Sequence, residues 1–441
     1  MRVLKWLSVG FVAMLAAVYG YLLVLPPELL RVGTGYSAKT ICSNIFIAGR
    51  KADDILKIDV QAPGHPLLKL VQVSVDESKG EVATSLIGGI APSLAIDRAG
   101  YGCTLVPSGN RADVAELPEF PQQKVAPYAW REELNPKLDT VLNDAALTGP
   151  GMRGIVVVKN GAIVAEKYGD GFTKETPLLG WSMTKTVNAF LVGALISQGK
   201  MDLAETGLFD TWKADDRAKI TLANLLAMDS GLKWNEGYGD VSDVTRMLFL
   251  TADMKSLAEA QSAEAAPGTV FTYSSGTSML LGELVERAAG ENPQTFAKFN
   301  LFNPLGITSA VIEPDASGTM SGSSFMYATA RDWARLGQFM IAGGVAGGQA
   351  LLPAGFTHMM ATPTQASNGR YGMGQIWMDD VDDNGAPTGV PKGSVRFSGH
   401  DGQSVTIVPS ERLVIVRLGL TPSKLGWEPQ PLTKAVIEAL R

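Results

Sequence analysis

Ser182 and Lys185 have the residue types and the spacing of a nucleophile and its base. Residues three apart lie on one face of a helix, so the lysine amine can reach the serine hydroxyl. At the start of a helix, free backbone N–H groups and the positive helix end favour a developing oxyanion. A serine activated in this way attacks a carbonyl carbon and forms an acyl-enzyme.

The spacing alone does not identify the nucleophile, because Ser-x-x-Lys occurs three times. The copies are Ser182 to Lys185, Ser197 to Lys200, and Ser230 to Lys233. Ser197 lies beside Gly199, which is typical of a helix end, and Gly231 after Ser230 indicates a turn. Ser182 instead follows a loop and precedes the apolar run "VNAFLVGALI". Ser182 is therefore the candidate nucleophile, and the alternative is a helix-capping serine with a solvated lysine.

A second candidate group is "YSSG", which begins at Tyr273, about 90 residues after Ser182. The pattern around it predicts a transition from a strand to a helix. Tyr273 could accept the Ser182 proton if a neighbouring lysine lowers its pKa, or it could pass a proton to the leaving group. The alternative is a core aromatic residue with a satisfied hydroxyl.

A third candidate group is His400-Asp401-Gly402, which lies inside a predicted strand. Glycines at 399 and 402 let a ligand or another backbone segment approach closely. The amide of Gln403 would then be free to donate to an oxyanion. His400 has a catalytic or binding role in this interpretation, and a structural role in the alternative.

The order of the three groups resembles the active-site motifs of the serine β-lactamase and penicillin-binding protein superfamily. The resemblance covers roughly residues 130 to 441 and is greatest to the class C-like branch, with the 6-aminohexanoate-dimer hydrolases and related esterases. It implies that Ser182 is acylated, and that Lys185 and Tyr273 are its acid/base partners. It also implies that the amides of Ser182 and Gln403 form the oxyanion hole. Neither a cofactor nor a metal is expected.

Two positions depart from the β-lactamase pattern. Ser275 stands where β-lactamases commonly have Asn, and His400 stands where they have Lys. A lysine offers a permanent cation to a substrate carboxylate, and histidine offers a weaker field. Ser275 and Gly402 are expected to contact the substrate. We therefore expect hydrolysis of a small amide or ester, and the alternatives are a carboxylesterase, a D-alanyl-D-alanine peptidase or β-lactamase, and a non-catalytic penicillin-binding sensor or cell-wall binding module.

The elements that position these groups predict an α+β domain over residues 126–441. A helix and a hairpin around Lys159-Asn160-Gly161 open this domain, and three strand-like runs near the C-terminus are expected to join the hairpin in one antiparallel sheet. Helices are predicted over 182–198, 219–228, 276–289 and 331–342. Residues 31–125 contain short β-type runs and predict a small, mostly β region.

The first 30 residues predict a membrane anchor or a signal segment. Residues 6–25 are uncharged and follow Lys5, and they are numerous enough to cross a bilayer as a helix. The basic flank predicts that the rest of the chain is extracytoplasmic, on the periplasmic side, where Cys42 and Cys103 would form a disulfide; the alternative is two free thiols. The net charge of −6 argues against nucleic acid as a partner. The expected partners are a small amide or ester substrate and, through residues 6–25, the membrane.

Overall fold

The computed structural model describes residues 2–62 and 64–441, and it begins with a long apolar helix, α1 (Arg2–Val24). The stretch Lys5–Val24 is apolar over 20 residues, and the rest of the chain leaves it uncovered. At 1.5 Å per residue it is roughly 30 Å long, which matches the hydrocarbon core of a bilayer. The predicted apolar helix is present, and its length suits an anchor or a signal segment.

A small unit that follows α1 consists of a helix packed on a sheet. Helices α2 (Glu28–Phe46) and α3 (Ala52–Ile55) precede strands β1 (Val71–Asp76), β2 (Glu81–Leu86), β3 (Ile90–Arg98) and β4 (Gly102–Val106). The four strands are antiparallel and neighbours in sequence order, and α2 packs against them. The predicted disulfide joins Cys42 of α2 to Cys103 of β4, with Cα atoms 6.0 Å apart.

The 19-residue helix α2 corrects the prediction of a mostly β region over 31–125. Its buried face mixes apolar residues, among them Val32, Ala38 and Ile41, with small hydroxyl residues. Ser37 satisfies its hydroxyl group within the helix, by donating to the carbonyl oxygen of Gly33 at 2.7 Å. Such residues favour turns and caps in isolation. The hydroxyl residues therefore weakened the helix signal of the sequence, and packing on the sheet decided the conformation.

The N-terminal unit is joined to the rest of the protein by buried charged contacts. Lys39 forms an ion pair with Glu313, which also accepts hydrogen bonds from Ser43 Oγ at 2.7 Å and the Cys103 amide at 2.6 Å. Asp59 forms a second ion pair with Arg153 at 2.6 Å. Removing one partner of such a pair leaves an uncompensated buried charge, so these contacts fix how the two parts dock.

The larger part of the chain has the predicted α+β composition. Its helices are α4 (Lys137–Asn143), α5 (Ala145–Thr148), α6 (Met183–Ser197), α7 (Leu222–Ala227), α8 (Asp243–Leu250), α9 (Met254–Glu259), α10 (Ser275–Ala289), α11 (Pro293–Ala297), α12 (Asn303–Leu305), α13 (Ala330–Ile341), α14 (Phe356–Met360) and α15 (Gln430–Ala439). Its strands are β5 (Arg131–Glu132), β6 (Met152–Lys159), β7 (Ala162–Tyr168), β8 (Leu178–Leu179), β9 (Val311–Ile312), β10 (Met326–Ala328), β11 (Val345–Ala346), β12 (Gln349–Ala350), β13 (Trp377–Met378), β14 (Val395–Gly399), β15 (Gln403–Val408) and β16 (Leu413–Gly419).

One seven-stranded sheet, in the order β13-β14-β15-β16-β6-β7-β5, organises this part. The predicted hairpin forms because Asn160 and Gly161 both adopt positive φ, 52° and 78°, as a tight two-residue turn requires. Strand β6 pairs antiparallel with β16, with Val156 opposite Val416. The prediction that the hairpin joins the late strands in one sheet is confirmed.

The four predicted helices correspond to α6, α7, α10 and α13. Helix α6 is buried over most of its length and packs against α10 on one side and the sheet on another. The first of the three predicted strand-like runs near the C-terminus, residues 371–378, forms a strand only at Trp377–Met378. Glycines at 372 and 374 lie against the Met360 backbone and side chain, so this segment follows a loop path.

Candidate active site

Ser182 lies at the start of α6 and has the geometry of an available nucleophile. It occupies the N-cap position, yet its side chain makes no capping hydrogen bond. Its Oγ accepts a hydrogen bond of 3.1 Å from Lys185 Nζ. The preceding Trp181 has φ of +49°, which is unfavourable for a residue with a bulky side chain. Backbone strain of this kind is concentrated at functional sites.

Lys185 is a buried cation held by three oxygen atoms. Besides Ser182, its Nζ donates to Ser275 Oγ at 2.9 Å and to the Ser323 carbonyl oxygen at 3.0 Å. Burial lowers the pKa of Lys185 from 10.5 to about 8, and the negative charge of Glu236 opposes this shift. Loss of one proton near neutral pH leaves a lone pair within hydrogen-bond reach of Ser182 Oγ.

Ser275 and Glu236 extend this hydrogen-bond chain beyond the lysine. Ser275 Oγ donates to Glu236 Oε1 at 2.5 Å, and the Ser275 amide donates to Glu236 Oε2 at 2.9 Å. Ser275 is fully buried behind Lys185, so its position differs from the predicted contact with substrate. Sequence reasoning missed Glu236, although the aromatic and acidic stretch "WNEGYGDVSD" that contains it is a recognisable pocket signal.

Tyr273 precedes α10 in an irregular segment rather than at the end of a strand. Its ring packs against Trp377, with ring centroids 5.2 Å apart, and Lys185 Nζ lies 5.1 Å from its ring centroid. Burial and the charge of Glu236 raise the pKa of Tyr273 above its usual value, and a hydrogen bond to Ser182 opposes the rise in part. The condition under which Tyr273 would accept the Ser182 proton, a pKa lowered by a neighbouring lysine, is therefore not met, because desolvation of the phenolate dominates.

His400, Asp401 and Gly402 form the turn between β14 and β15, rather than the strand interior that was predicted. Asp401 has φ of +58° and Gly402 of +78°, which reverse the chain direction. The His400 ring stacks on Tyr238 at 4.5 Å and meets Trp181 edge-on at 5.6 Å. These contacts place His400 against the residue that precedes Ser182.

Gln403 holds this turn with its side chain. Its Nε2 donates to the carbonyl oxygens of His400 and Asp401 at 3.1 Å and 3.0 Å, and its Oε1 accepts from the Gly419 amide at 2.9 Å. At Gly399, directly opposite Gln403 across the two strands, any Cβ would collide with the Gly180 carbonyl oxygen. The absence of a side chain at 399 thus allows the β14–β15 strand pair to approach the loop that carries Ser182. The two amides predicted for the oxyanion hole belong to Ser182, on the loop that contains Gly180, and to Gln403, on the strand paired with Gly399.

A cavity of about 610 Å³ brings the predicted groups together. It is lined by Ser182, Glu236, Tyr238, Tyr273, Trp377, His400, Gly402 and Gln403, among other residues. Its lining carries both signs of charge, with Arg370 and Arg396 beside the acidic residues Asp382 and Asp383, and Arg370 Nη1 lies 3.9 Å from Asp383 Oδ1. The volume is in the range of sites that bind small organic ligands.

The other two Ser-x-x-Lys copies lie elsewhere, as their sequence context indicates. Ser197 is the last residue of α6, and Gly199 follows it with φ of +69°. Ser230 precedes Gly231, which has φ of +76° in a turn. Neither serine lines the cavity that contains Ser182.

The chain is similar to known proteins in sequence and in fold. Residues 144–422 match the Beta-lactamase family. A 6-aminohexanoate-dimer hydrolase of Paenarthrobacter ureafaciens is 26% identical over 333 residues, covering 71% of this chain and 81% of that protein. The structure of a 6-aminohexanoate-dimer hydrolase homologue from Bacillus anthracis superposes with a TM-score of 0.58 at 20% identity, covering 71% of this chain and 86% of that one. A β-lactamase homologue from Bacteroides dorei gives a TM-score of 0.56 at 20% identity, covering 69% and 98%.

The matched segment is more than half of the chain and contains all three motifs. The chain therefore belongs to the β-lactamase family. With its named relative, it is a hydrolase of the β-lactamase and penicillin-binding protein superfamily.

Proposed function

We propose that this protein is a serine hydrolase that cleaves an amide or ester through an acyl-Ser182 intermediate. The observation that carries the proposal is the position of Lys185, whose Nζ lies 3.1 Å from Ser182 Oγ and whose pKa is lowered to about 8. A buried amine that is partly neutral near physiological pH is suited to remove the serine proton.

In the acylation step, the bond from Ser182 Oγ to the substrate carbonyl carbon forms while the serine proton passes to neutral Lys185. The carbonyl electron pair moves to oxygen, where the amides of Ser182 and Gln403 stabilise the negative charge. Collapse breaks the bond to nitrogen or oxygen, and Tyr273, protonated because its pKa is raised, donates its proton to the departing atom. Lys185 then passes the proton that it took from Ser182 to Tyr273, which regains its neutral hydroxyl.

In the deacylation step, a water molecule enters the position that the leaving group has vacated. Lys185 takes one proton from the water as its oxygen bonds to the acyl carbon, and the proton returns to Ser182 Oγ when the ester bond breaks. Glu236 acts as a positioning residue in this scheme, because it holds Ser275, and Ser275 in turn holds the Lys185 amine.

The substrate we propose is a small linear amide or ester, similar to the dimer in the name of the relative from Paenarthrobacter. The cavity lining contains acidic residues, and the charge of Arg396 is already paired with Asp379. These charges favour a substrate whose end beside them is neutral or cationic. His400 in place of a lysine supports the same choice, since the cavity lacks a fixed cation at that position for a substrate carboxylate.

We also propose that the hydrolase works outside the cytoplasm while anchored by α1. The exposed apolar helix after Lys5 and the disulfide between Cys42 and Cys103 support this location.

Covalent labelling tests the proposed function directly. A fluorophosphonate should add to Ser182, and intact-mass and peptide analysis should find one label per chain on the peptide with that serine. A panel of p-nitrophenyl esters, nitrocefin, 6-aminohexanoate dimer and D-Ala-D-Ala peptides then ranks the substrate classes. Labelling that is unchanged in Ser182→Ala would refute the mechanism.

A further inference from the structure

A second cavity of about 490 Å³ lies between the N-terminal unit and the active site. Its walls are mostly apolar and include Leu30, Val32, Leu67, Leu68, Leu86 and Phe249. These side chains come from α2, from the helical turn before β1, from the end of β2 and from α8. The N-terminal unit therefore builds a wall of this groove, a role that the sequence did not indicate.

The groove and the catalytic cavity adjoin each other. Tyr238, His400, Asp401 and Ser423 line both. The stacked rings of Tyr238 and His400 form the boundary between them. A substrate whose reacting carbonyl lies at Ser182 thus has an apolar groove continuous with its binding site.

The groove also lies beside the apolar helix α1. Leu29 and Leu30 are in the first turn of α2, and the five-residue step from Val24 to Leu29 spans at most roughly 18 Å. Tyr19 of α1 donates a hydrogen bond of 2.7 Å to the carbonyl oxygen of Gly88, in the turn after Leu86. The Leu86 end of the groove is therefore level with the C-terminal part of α1.

The surface around this end is apolar as well. Ile87 is 57% exposed and Leu70 is 41% exposed, and the Ile87 amide donates to the Leu70 carbonyl oxygen at 3.1 Å. Paired exposed apolar residues next to a helix of membrane length are suited to contact lipid. With α1 across a bilayer, the exposed surface formed by Leu70 and Ile87 faces the acyl region of the outer leaflet.

We infer that the groove binds the acyl chain of a lipid-like ester or amide, which enters from the membrane with its carbonyl directed to Ser182. This inference rests on the proposed function and specifies its substrate class. Each methylene moved from water into an apolar groove stabilises binding by up to about 0.8 kcal/mol, equivalent to roughly fourfold. Substrate preference should therefore increase with acyl length.

The test uses the full chain in phosphatidylcholine nanodiscs with p-nitrophenyl esters of two to ten carbons. We expect kcat/KM to rise at least tenfold from acetate to decanoate. Leu30→Trp in α2 and Leu67→Trp in the helical turn before β1 each fill the groove from a different element, and each should lower the decanoate-to-acetate ratio of kcat/KM about tenfold. Arg31→Trp, on the same helix but outside the lining, is the matched control and should keep the wild-type ratio.

The outcomes separate this inference from the proposed function. Acetate turnover that depends on Ser182, with a flat chain-length profile and ratios that both groove variants leave unchanged, overturns the acyl groove alone. No turnover of any ester together with no fluorophosphonate label on Ser182 overturns the proposed function, and the groove assignment falls with it. Partition of long esters into the bilayer is the same for all variants, so the comparison with Arg31→Trp removes that effect.

Discussion

The regions around Ser182 and Ser230 contain the same Ser-x-x-Lys spacing in different surroundings. Lys185 is 1% exposed and its amine is held by three oxygen atoms, whereas the Lys233 side chain is 58% exposed and pairs with Glu264 at 3.4 Å. Burial removes part of the solvation of an ammonium group and favours its neutral form, as it does for Lys185. The chemistry of the motif therefore depends on burial rather than on spacing.

The largest contrast is expected for the two serines. Ser182→Ala should lower kcat for a p-nitrophenyl ester by about 10³ or more, because the acyl-enzyme cannot form. Ser230→Ala should stay within about twofold of wild type, since Ser230 does not line the cavity. Initial-rate kinetics of the two purified variants test this contrast. Comparable losses of kcat in both variants would show that the two serines do not differ in function.

Substitution of the two lysines should also affect kcat differently in the two regions, by a smaller factor than substitution of the serines. Lys185→Met removes the base and should reduce kcat by roughly 10² to 10⁴. Lys233→Met removes an exposed ion pair, which contributes little to stability or rate. Fluorophosphonate labelling rates provide a second measurement, and equal labelling of Lys185→Met and wild type would contradict the base assignment.

The pH profile should report the buried lysine. The pKa of Lys185 is about 8, and the neutral amine is the active form. Protonation on the acidic side removes the base, so kcat/KM for an uncharged ester should rise about tenfold per pH unit toward pH 8 and then level off. Rates of Ser182→Ala provide the background to subtract. A profile that is flat from pH 6 to 9 would show that Lys185 does not limit the reaction.

The smallest effect is expected at the carboxylate behind the lysine. The charge of Glu236 raises the pKa of Lys185 against the effect of burial, so Glu236→Gln should move the rising limb of the profile to lower pH. The plateau should change by less than about tenfold, because glutamine keeps an acceptor for Ser275. Glu264→Gln is the matched control near Lys233. A limb that stays in place in Glu236→Gln, or moves equally in both variants, would show that Glu236 does not tune the lysine.

The sequence by itself determined the features that depend on neighbouring residues. Ser182 and Lys185 meet because positions three apart share a helix face, and the Asn160-Gly161 turn forms because both residues tolerate positive φ. The order of the three motifs indicated the family, and the family match confirms that family. Cys42 and Cys103 could be paired because no other cysteine is present.

The tertiary structure decided the features that depend on segments far apart in the chain. Glu236, Ser275 and the Ser323 carbonyl converge on Lys185 from separate segments, and no local pattern encodes that meeting. Burial, rather than the nearby lysine, set the direction of the Tyr273 pKa shift. Helix α2 formed because a sheet could cover its buried face of mixed apolar and hydroxyl residues. In each case the outcome depends on free energies of desolvation and packing, and these contributions arise only when distant segments come together in the folded chain.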